Sequence, residues 1–238
     1  MDGNTNSFGI RGFLIDTPEF GTLRGRPTGA LIIDNGRITE RGDYDVLRRV
    51  QRRTPRTVLG HCIHLNSREI AAIAAAQSSV AHCPTSNLFL GSGLIKLDQM
   101  LKMGIAVGLG SDVAGGTELN MWQVIHAAID VQKARATYEP NLRPLQTSEA
   151  FYLATHGGAR AVGKAGIIGT LDAGKEADFI VVDLASFLPY PKNREALGEL
   201  STEDALALCI YRGGPQANLE TYVRGKCIYQ GPALAQSS

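Results

Sequence analysis

The sequence predicts an α/β fold: a parallel sheet with helices on its outside and a smaller β-domain built from both ends of the chain. Between residues 57 and 138, three short apolar runs alternate with helix-type patterns, which is typical of successive βα units. Short strands separated by tight turns occupy both terminal segments. Reactive side chains follow the apolar runs, as in the site of a (β/α) barrel.

Residues 1–47 are interpreted as the N-terminal β-segment. FGIRGFLIDT reads as a strand, PEFGTLRGRPTG as a loop, and ALIIDNGRITERG as two strands around an Asn35-Gly36 turn. Residues 48–56 contain five arginines and are interpreted as a junction.

Residues 57–165 are predicted to contain the three βα units. VLGHCIHL, SVAHCP and IAVGLGSD read as strands, and Pro84 ends the second, before a polar, Gly-rich loop. The helix after the first strand is expected to use Ser67 as its N-cap, and the second helix is expected to end at Gly104. TELNMWQVIHAAIDVQKARATY is the third helix, and QTSEAFYLATHGGARAVG a further one.

Residues 166–238 are predicted to form the C-terminal β-segment with one helix. IIGTLDAGKEADFIVVD reads as two strands around Ala173-Gly174, STEDALALCIYRG as a helix, and NLETYVRGKCIYQG as a hairpin turning at Gly225. These strands resemble the N-terminal ones in length, so the two segments are expected to form one small β-domain.

Composition narrows the classes of function. A net charge of +1 favours neither nucleic acid nor an anionic membrane as partner. No apolar run approaches the roughly 18 residues that span a bilayer. The N-terminus has no apolar signal region, and four cysteines without such a signal indicate reduced thiols in a cytoplasmic protein.

Each of the three predicted strands carries side chains able to do chemistry towards its end. They are His61, then His82 with Cys83, then Asp112. Because the carboxyl ends of parallel strands meet at one edge of a sheet, we expect a site there. Asp112 is expected at a buried strand end, where a carboxylate must be paired or bound to a metal.

These motifs carry a resemblance to a known family. LGHCIHLNSRE, AHCPTSNLFLGSGL and VGLGSDVAGG resemble the guanine deaminase family of the metal-dependent amidohydrolase superfamily. SEAFYLATHGGARAVG, GTLDAGKEADFIVVD and TYVRGKCIYQG are similar to its C-terminal segment, and RGFLIDTPEFGTLR with ALIIDNGRI to its N-terminal one.

The resemblance implies a (β/α)8 TIM-type barrel with a β-sandwich formed by both termini. The three βα units are then equivalent to strands six to eight. One zinc ion would activate the water that converts guanine to xanthine and ammonia. Asp112 matches the metal-binding and catalytic aspartate, and His61 the catalytic histidine of strand six. His82, Ser86 and Asn87 match the substrate-binding rim of the pocket.

The chain also departs from the family pattern. The resemblance implies a His-x-His motif and a His-x-x-Glu motif, and neither occurs in this sequence. A full barrel takes about 250 residues, so residues 57–138 hold fewer than three of its units. The sequence therefore looks like a family member that lacks barrel strands one to five.

Several interpretations stay open at this point. The chain could be a non-catalytic truncated product, or half of a split complex in which a complementing chain supplies the two motifs. Because open sheet edges and an exposed barrel interior favour association, a homo-oligomer is also expected. Within the superfamily, the alternatives are 8-oxoguanine deaminases, other aminopurine deaminases and triazine hydrolases. In each case the expected ligand is a small purine or a related ring.

Overall fold

The computed structural model describes residues 7–19, 22–34, 37–43, 57–188 and 200–231. It has an α/β fold with three three-stranded sheets, whose orders are β1-β2-β3, β4-β5-β6 and β7-β8-β9. The chain divides into two compact units. The first contains the described residues up to His82, with Ile95–Gly108 and Ala161–Gly163. The second contains Cys83–Leu94, Leu109–Arg160 and the described residues from Lys164 onward.

The first unit begins with an antiparallel sheet. Its strands are β1 (Ser7–Glu19), β2 (Thr22–Asp34) and β3 (Arg37–Asp43). The loop predicted for PEFGTLRGRPTG is wrong, because most of that stretch belongs to β1 and β2. Pro18 and Pro27 fall at breaks in the β1–β2 register. Since a proline lacks the N–H that a ladder needs, such breaks allow it inside a long strand.

The parallel sheet lies next in the chain. β4 (Val58–Gly60) pairs in parallel with β5 (Ser79–His82), with Gly60 opposite Ala81. β6 (Val107–Leu109) lies on the other side of β5, and the N–H of Val80 donates to the carbonyl of Ala106 at 2.9 Å. The predicted strands are thus present but shorter than expected.

Helix α1 (Ser67–Ala75) connects β4 to β5. Its N-cap is Asn66, one residue before the predicted Ser67. The Asn66 side chain accepts hydrogen bonds from the N–H groups of Arg68 and Glu69, and the Glu69 carboxylate accepts from the Asn66 N–H. This reciprocal capping box, which a serine at Ser67 could not form in the same register, fixes the start of the helix.

Two short helices follow the second strand. The polar loop predicted after SVAHCP is instead helix α2 (Pro84–Phe89). Its first residue is a proline, which is tolerated there because N–H groups in the first turn of a helix have no partner within the helix. Helix α3 (Leu97–Lys102) ends before Gly104, whose φ of +74° is the left-handed conformation expected there. The buried apolar residues of the first unit lie on these strands and helices: Leu59, Ile70, Ile73, Val80, Ile95, Leu97, Met100, Ile105 and Val107.

Helices dominate the second unit. Helix α4 (Met121–Ala136) packs against α5 (Thr147–Ala154) and α7 (Thr202–Arg212). The single helix predicted over QTSEAFYLATHGGARAVG is instead two, because Thr155 leaves the helical conformation between α5 and α6 (His156–Ala161). The core of this unit contains Val124, Ala128, Ile129, Ala150, Leu153 and Ile210, and the Trp122 ring stacks on Phe151 at 6.0 Å.

The C-terminal sheet is antiparallel. It consists of β7 (Phe179–Val182), β8 (Asn218–Val223) and β9 (Lys226–Gln230), and the predicted hairpin turns at Arg224 and Gly225. Only one of the two strands predicted in IIGTLDAGKEADFIVVD is present, because residues before Phe179 turn without pairing. Single turns of 3-10 helix span Leu184–Phe187 and Pro215–Ala217.

Four predictions stay untested by these features. The Asn35-Gly36 turn and the arginine-rich junction lie outside the described residues. The domain boundaries at residues 47, 56 and 165 stay predictions, as does a single β-sandwich made from both terminal sheets.

None of the helices in the described ranges is long and apolar enough to cross a membrane.

Candidate functional site

His61 and His82 lie at the carboxyl ends of neighbouring parallel strands. His82 is the last residue of β5, and His61 directly follows β4. Since Gly60 is opposite Ala81, the next residue of each strand is a histidine. The N–H of His61 donates to the carbonyl of Ala81 at 2.8 Å. The structure therefore brings these two predicted site residues together within the first unit.

The chain turns sharply at His61. Its φ is +64° and that of Cys62 is +52°, which is the left-handed region that residues other than glycine seldom adopt. The N–H of Cys62 donates to the Gly60 carbonyl at 2.8 Å and closes this turn. Two consecutive left-handed residues are costly, and such backbone strain concentrates at functional sites.

His82 is the most deeply buried ionisable group at this edge, with 0% of its surface exposed. Burial, with a smaller contribution from the nearby His61, lowers its pKa to about 3. Its imidazole is therefore neutral at physiological pH. Neither ring nitrogen makes a hydrogen bond within the described structure, so one N–H donor and one acceptor remain available. His82 is thus a buried residue at the carboxyl end of β5.

Asp112 lies in the turn Ser111–Gly116 that follows β6, within the second unit. The expectation of a buried position is wrong: Asp112 is exposed, because β6 ends at Leu109 and the chain turns outward. Its φ is +54°, and its carbonyl accepts a hydrogen bond from the Gly116 N–H at 2.5 Å. Aspartate is among the few residues that tolerate this conformation.

Ser86 and Asp112 form the second pair of predicted site residues that the structure brings together. The Ser86 hydroxyl donates to the Asp112 carboxylate at 2.6 Å. Ser86 and Asn87 are both buried on α2, with 0% and 2% of their surfaces exposed. The helix that the sequence did not predict is therefore the element that presents both side chains.

Cys83, which follows His82 and is the N-cap of α2, is a neighbour of this pair. Burial raises the pKa of its thiol to about 12, and the negative charge of Asp112 contributes to the shift. The thiol is therefore protonated and is a poor metal ligand. A β-carbon on Gly110 would lie 3.3 Å from the Cys83 sulfur. The glycine at position 110 is therefore the feature of the sequence that indicates a close contact with Cys83.

The residues present do not fit a zinc site. Within the described ranges no three His, Cys, Asp or Glu side chains come together as a possible metal site. All five histidines and all four cysteines of the chain lie inside those ranges. Because protein-bound zinc normally has at least three protein ligands, mainly His and Cys, Asp112 would need ligands from elsewhere.

The comparisons with known proteins agree with these motifs. The chain matches the amidohydrolase family over residues 35–225, which include all five predicted site residues. It is 38% identical over 173 residues to the guanine deaminase of Escherichia coli K12, a match that covers 73% of this chain and 38% of that enzyme. The chain thus spans about two fifths of the length of the curated relatives it matches.

Solved structures give the same picture. The structure resembles guanine deaminase from C. acetobutylicum with guanine bound in its active site, with a TM-score of 0.65 and 33% identity over 73% of this chain and 39% of that one. It also resembles an adenosine deaminase from Xanthomonas campestris with bound zinc, with a TM-score of 0.63 and 28% identity over 77% and 39% of the two chains. On the match over residues 35–225, this chain belongs to the amidohydrolase family.

Proposed function

We propose that this chain is the strand-six-to-eight part of a guanine deaminase-type aminohydrolase, which converts guanine and water to xanthine and ammonia. The observation that carries the proposal is the likeness to a guanine deaminase with guanine in its active site over 73% of this chain. The parallel sheet then corresponds to part of a (β/α)8 barrel, and the terminal sheets to its β-sandwich. Purine catabolism in the cytoplasm is the expected setting, and four cysteines outside any disulfide are in keeping with it.

The five site residues receive roles in this proposal. His61 and Asp112 are the catalytic residues, and His82, Ser86 and Asn87 face the substrate. The neutral His82 supports this assignment, since it offers both a donor and an acceptor and a purine edge carries both kinds of group. A buried polar group that gains a partner only when substrate binds also discriminates strongly against analogues without that group.

Zinc enters the proposal through Asp112 as one ligand of a single ion. Since the described residues do not complete its coordination, we propose that a second polypeptide supplies the other ligands, either a complementing chain or another copy in a homo-oligomer. The exposure of Asp112 supports this arrangement, because another polypeptide can reach an exposed residue.

The proposal is tested by assaying guanine conversion with the purified chain and added zinc at neutral pH, monitoring xanthine. If another copy of this chain completes the site, we expect turnover above background that Asp112→Ala lowers by at least 100-fold, whereas the exposed control Asp130→Ala has no effect. Loss of one catalytic acid–base group typically costs this much. Folded chain without turnover would contradict catalysis by this chain alone, and equal turnover in both variants would contradict the role of Asp112.

A separate prediction concerns metal content. After dialysis against zinc and then against metal-free buffer, the chain alone should retain much less than one zinc ion per chain, because one carboxylate is too few ligands. The measurement is elemental analysis of the dialysed protein. Retention of one ion per chain by the wild type, lost in Asp112→Ala, would show that the chain completes the site itself.

A further inference from the structure

We propose that Ser86 is a positioning residue: its hydroxyl holds the Asp112 carboxylate, and with it the 111–116 turn, in place without a metal ion. Only the catalytic use of Asp112 rests on the proposed function. The hydrogen bond from Ser86 to Asp112 is present in the structure whether or not the chain catalyses a reaction.

The first argument is the geometry of the contact. The two oxygens are 2.6 Å apart, which is the short distance of a hydrogen bond between a hydroxyl and a carboxylate. Ser86 is fully buried on α2, so its hydroxyl is fixed by the surrounding helix, whereas Asp112 is exposed. An exposed carboxylate has little need of a protein donor. The main effect of the bond is therefore to fix the position of the Asp112 carboxylate.

The second argument is the backbone that the bond stabilises. Asp112 has a φ of +54°, a conformation that costs energy for a residue with a side chain. Two contacts oppose this cost: the Gly116 N–H donates to the Asp112 carbonyl, and Ser86 donates to its carboxylate. A β-carbon on Gly116 would lie 3.2 Å from the Ser86 β-carbon, so α2 and this turn are in direct contact.

The third argument is the number of protons that the Ser86 hydroxyl can donate. A serine hydroxyl has one proton, and here that proton is donated to Asp112. Ser86 can therefore only accept a hydrogen bond from a substrate while the pair is intact. This restricts its substrate role and assigns the hydroxyl proton to the orientation of Asp112. Partners of this kind are known to orient metal-binding side chains.

The lack of a complete set of zinc ligands among the described residues also supports a positioning role for Ser86. Within the described ranges no three possible ligands come together, so the contacts described for this turn are hydrogen bonds and include no metal ligands. The hydrogen bond from Ser86 provides a fixed carboxylate before any further ligand arrives. Such preorganisation reduces the cost of ordering the site when a ligand binds.

The test is a double-mutant cycle on the full chain in EDTA. Ser86→Ala and Asp112→Ala should each lower the thermal midpoint by roughly 3–6 °C, as expected when a charge-assisted hydrogen bond is lost from a chain of this size. The double variant should lose no more than the more affected single variant, since the two side chains share one interaction. Asp112→Asn should retain part of the stability, because its amide oxygen still accepts from Ser86 and asparagine tolerates a positive φ. Ser148→Ala, an exposed serine on α5, is the control and should change nothing.

A spectroscopic measurement separates positioning from general stability. The side-chain carboxyl carbon resonance of Asp112 should move in Ser86→Ala and stay unchanged in Ser148→Ala. Additive losses in the cycle or an unmoved resonance would each overturn the proposal. None of these measurements requires turnover, so absence of guanine deamination would count against the proposed function and leave this inference standing.

Discussion

Acidification from pH 7 to pH 4 is expected to lower the free energy of unfolding by about 3 kcal/mol through His82 alone. The folded-state pKa of this histidine is about 3, whereas its ordinary value is 6.5. Between these values the unfolded chain binds a proton that the folded chain does not, so the folded state loses stability as the pH falls. Above pH 6.5 neither state is protonated, and the stability from this residue is fully present. Each pH unit between the two pKa values corresponds to about 1.4 kcal/mol.

Urea unfolding at a series of pH values measures this effect, with His82→Phe as the informative variant. Phenylalanine has a similar shape and no charge, so the variant should lose the His82 part of the pH slope. His64→Gln is the matched control, since His64 is exposed, and it should keep the wild-type slope. If wild type and His82→Phe lose stability in parallel on acidification, His82 is protonated in the folded chain and its burial is not what the structure indicates.

Gly116→Ala is expected to disrupt the turn that presents Asp112. The added β-carbon would lie 2.1 Å from the Ser111 carbonyl oxygen and 3.2 Å from the Ser86 β-carbon. Since the first contact is with backbone, the turn itself must move, and the bond between Ser86 and Asp112 moves with it. We expect a loss of about 1–3 kcal/mol in the free energy of unfolding, the range found for strained backbone positions.

Gly166→Ala is the matched control for this prediction. A β-carbon at Gly166 has no other atom within 4 Å, and its φ is not in the left-handed region. This variant should unfold like the wild type or be slightly more stable, because alanine reduces the freedom of the unfolded chain. The measurement is chemical unfolding of both variants beside the wild type. Equal stability of the two would mean that the 111–116 turn adapts to a side chain without cost.

Local signals in the sequence predicted much of the fold. Apolar runs bounded by glycine or proline located β4, β5 and β6, and helical periodicity located α1, α3, α4 and α7. The errors arose where tertiary contacts override composition. Antiparallel pairing converts a stretch rich in Gly and Pro into parts of β1 and β2, because breaks in register accommodate the prolines. A proline after β5 begins a helix and not the expected loop.

The sequence by itself determined the family, through the motifs around His61, His82 and Asp112. A motif consists of residue types at fixed spacing, and both can be seen in the sequence without a structure. Only the tertiary structure decided what surrounds each side chain. It buries His82 beside His61, exposes Asp112 and places the Ser86 hydroxyl on its carboxylate. Those outcomes depend on where β4 and β6 end and on the left-handed turns that follow them. Such turns depend on contacts between residues far apart in the chain, which the periodicity of a single segment does not contain.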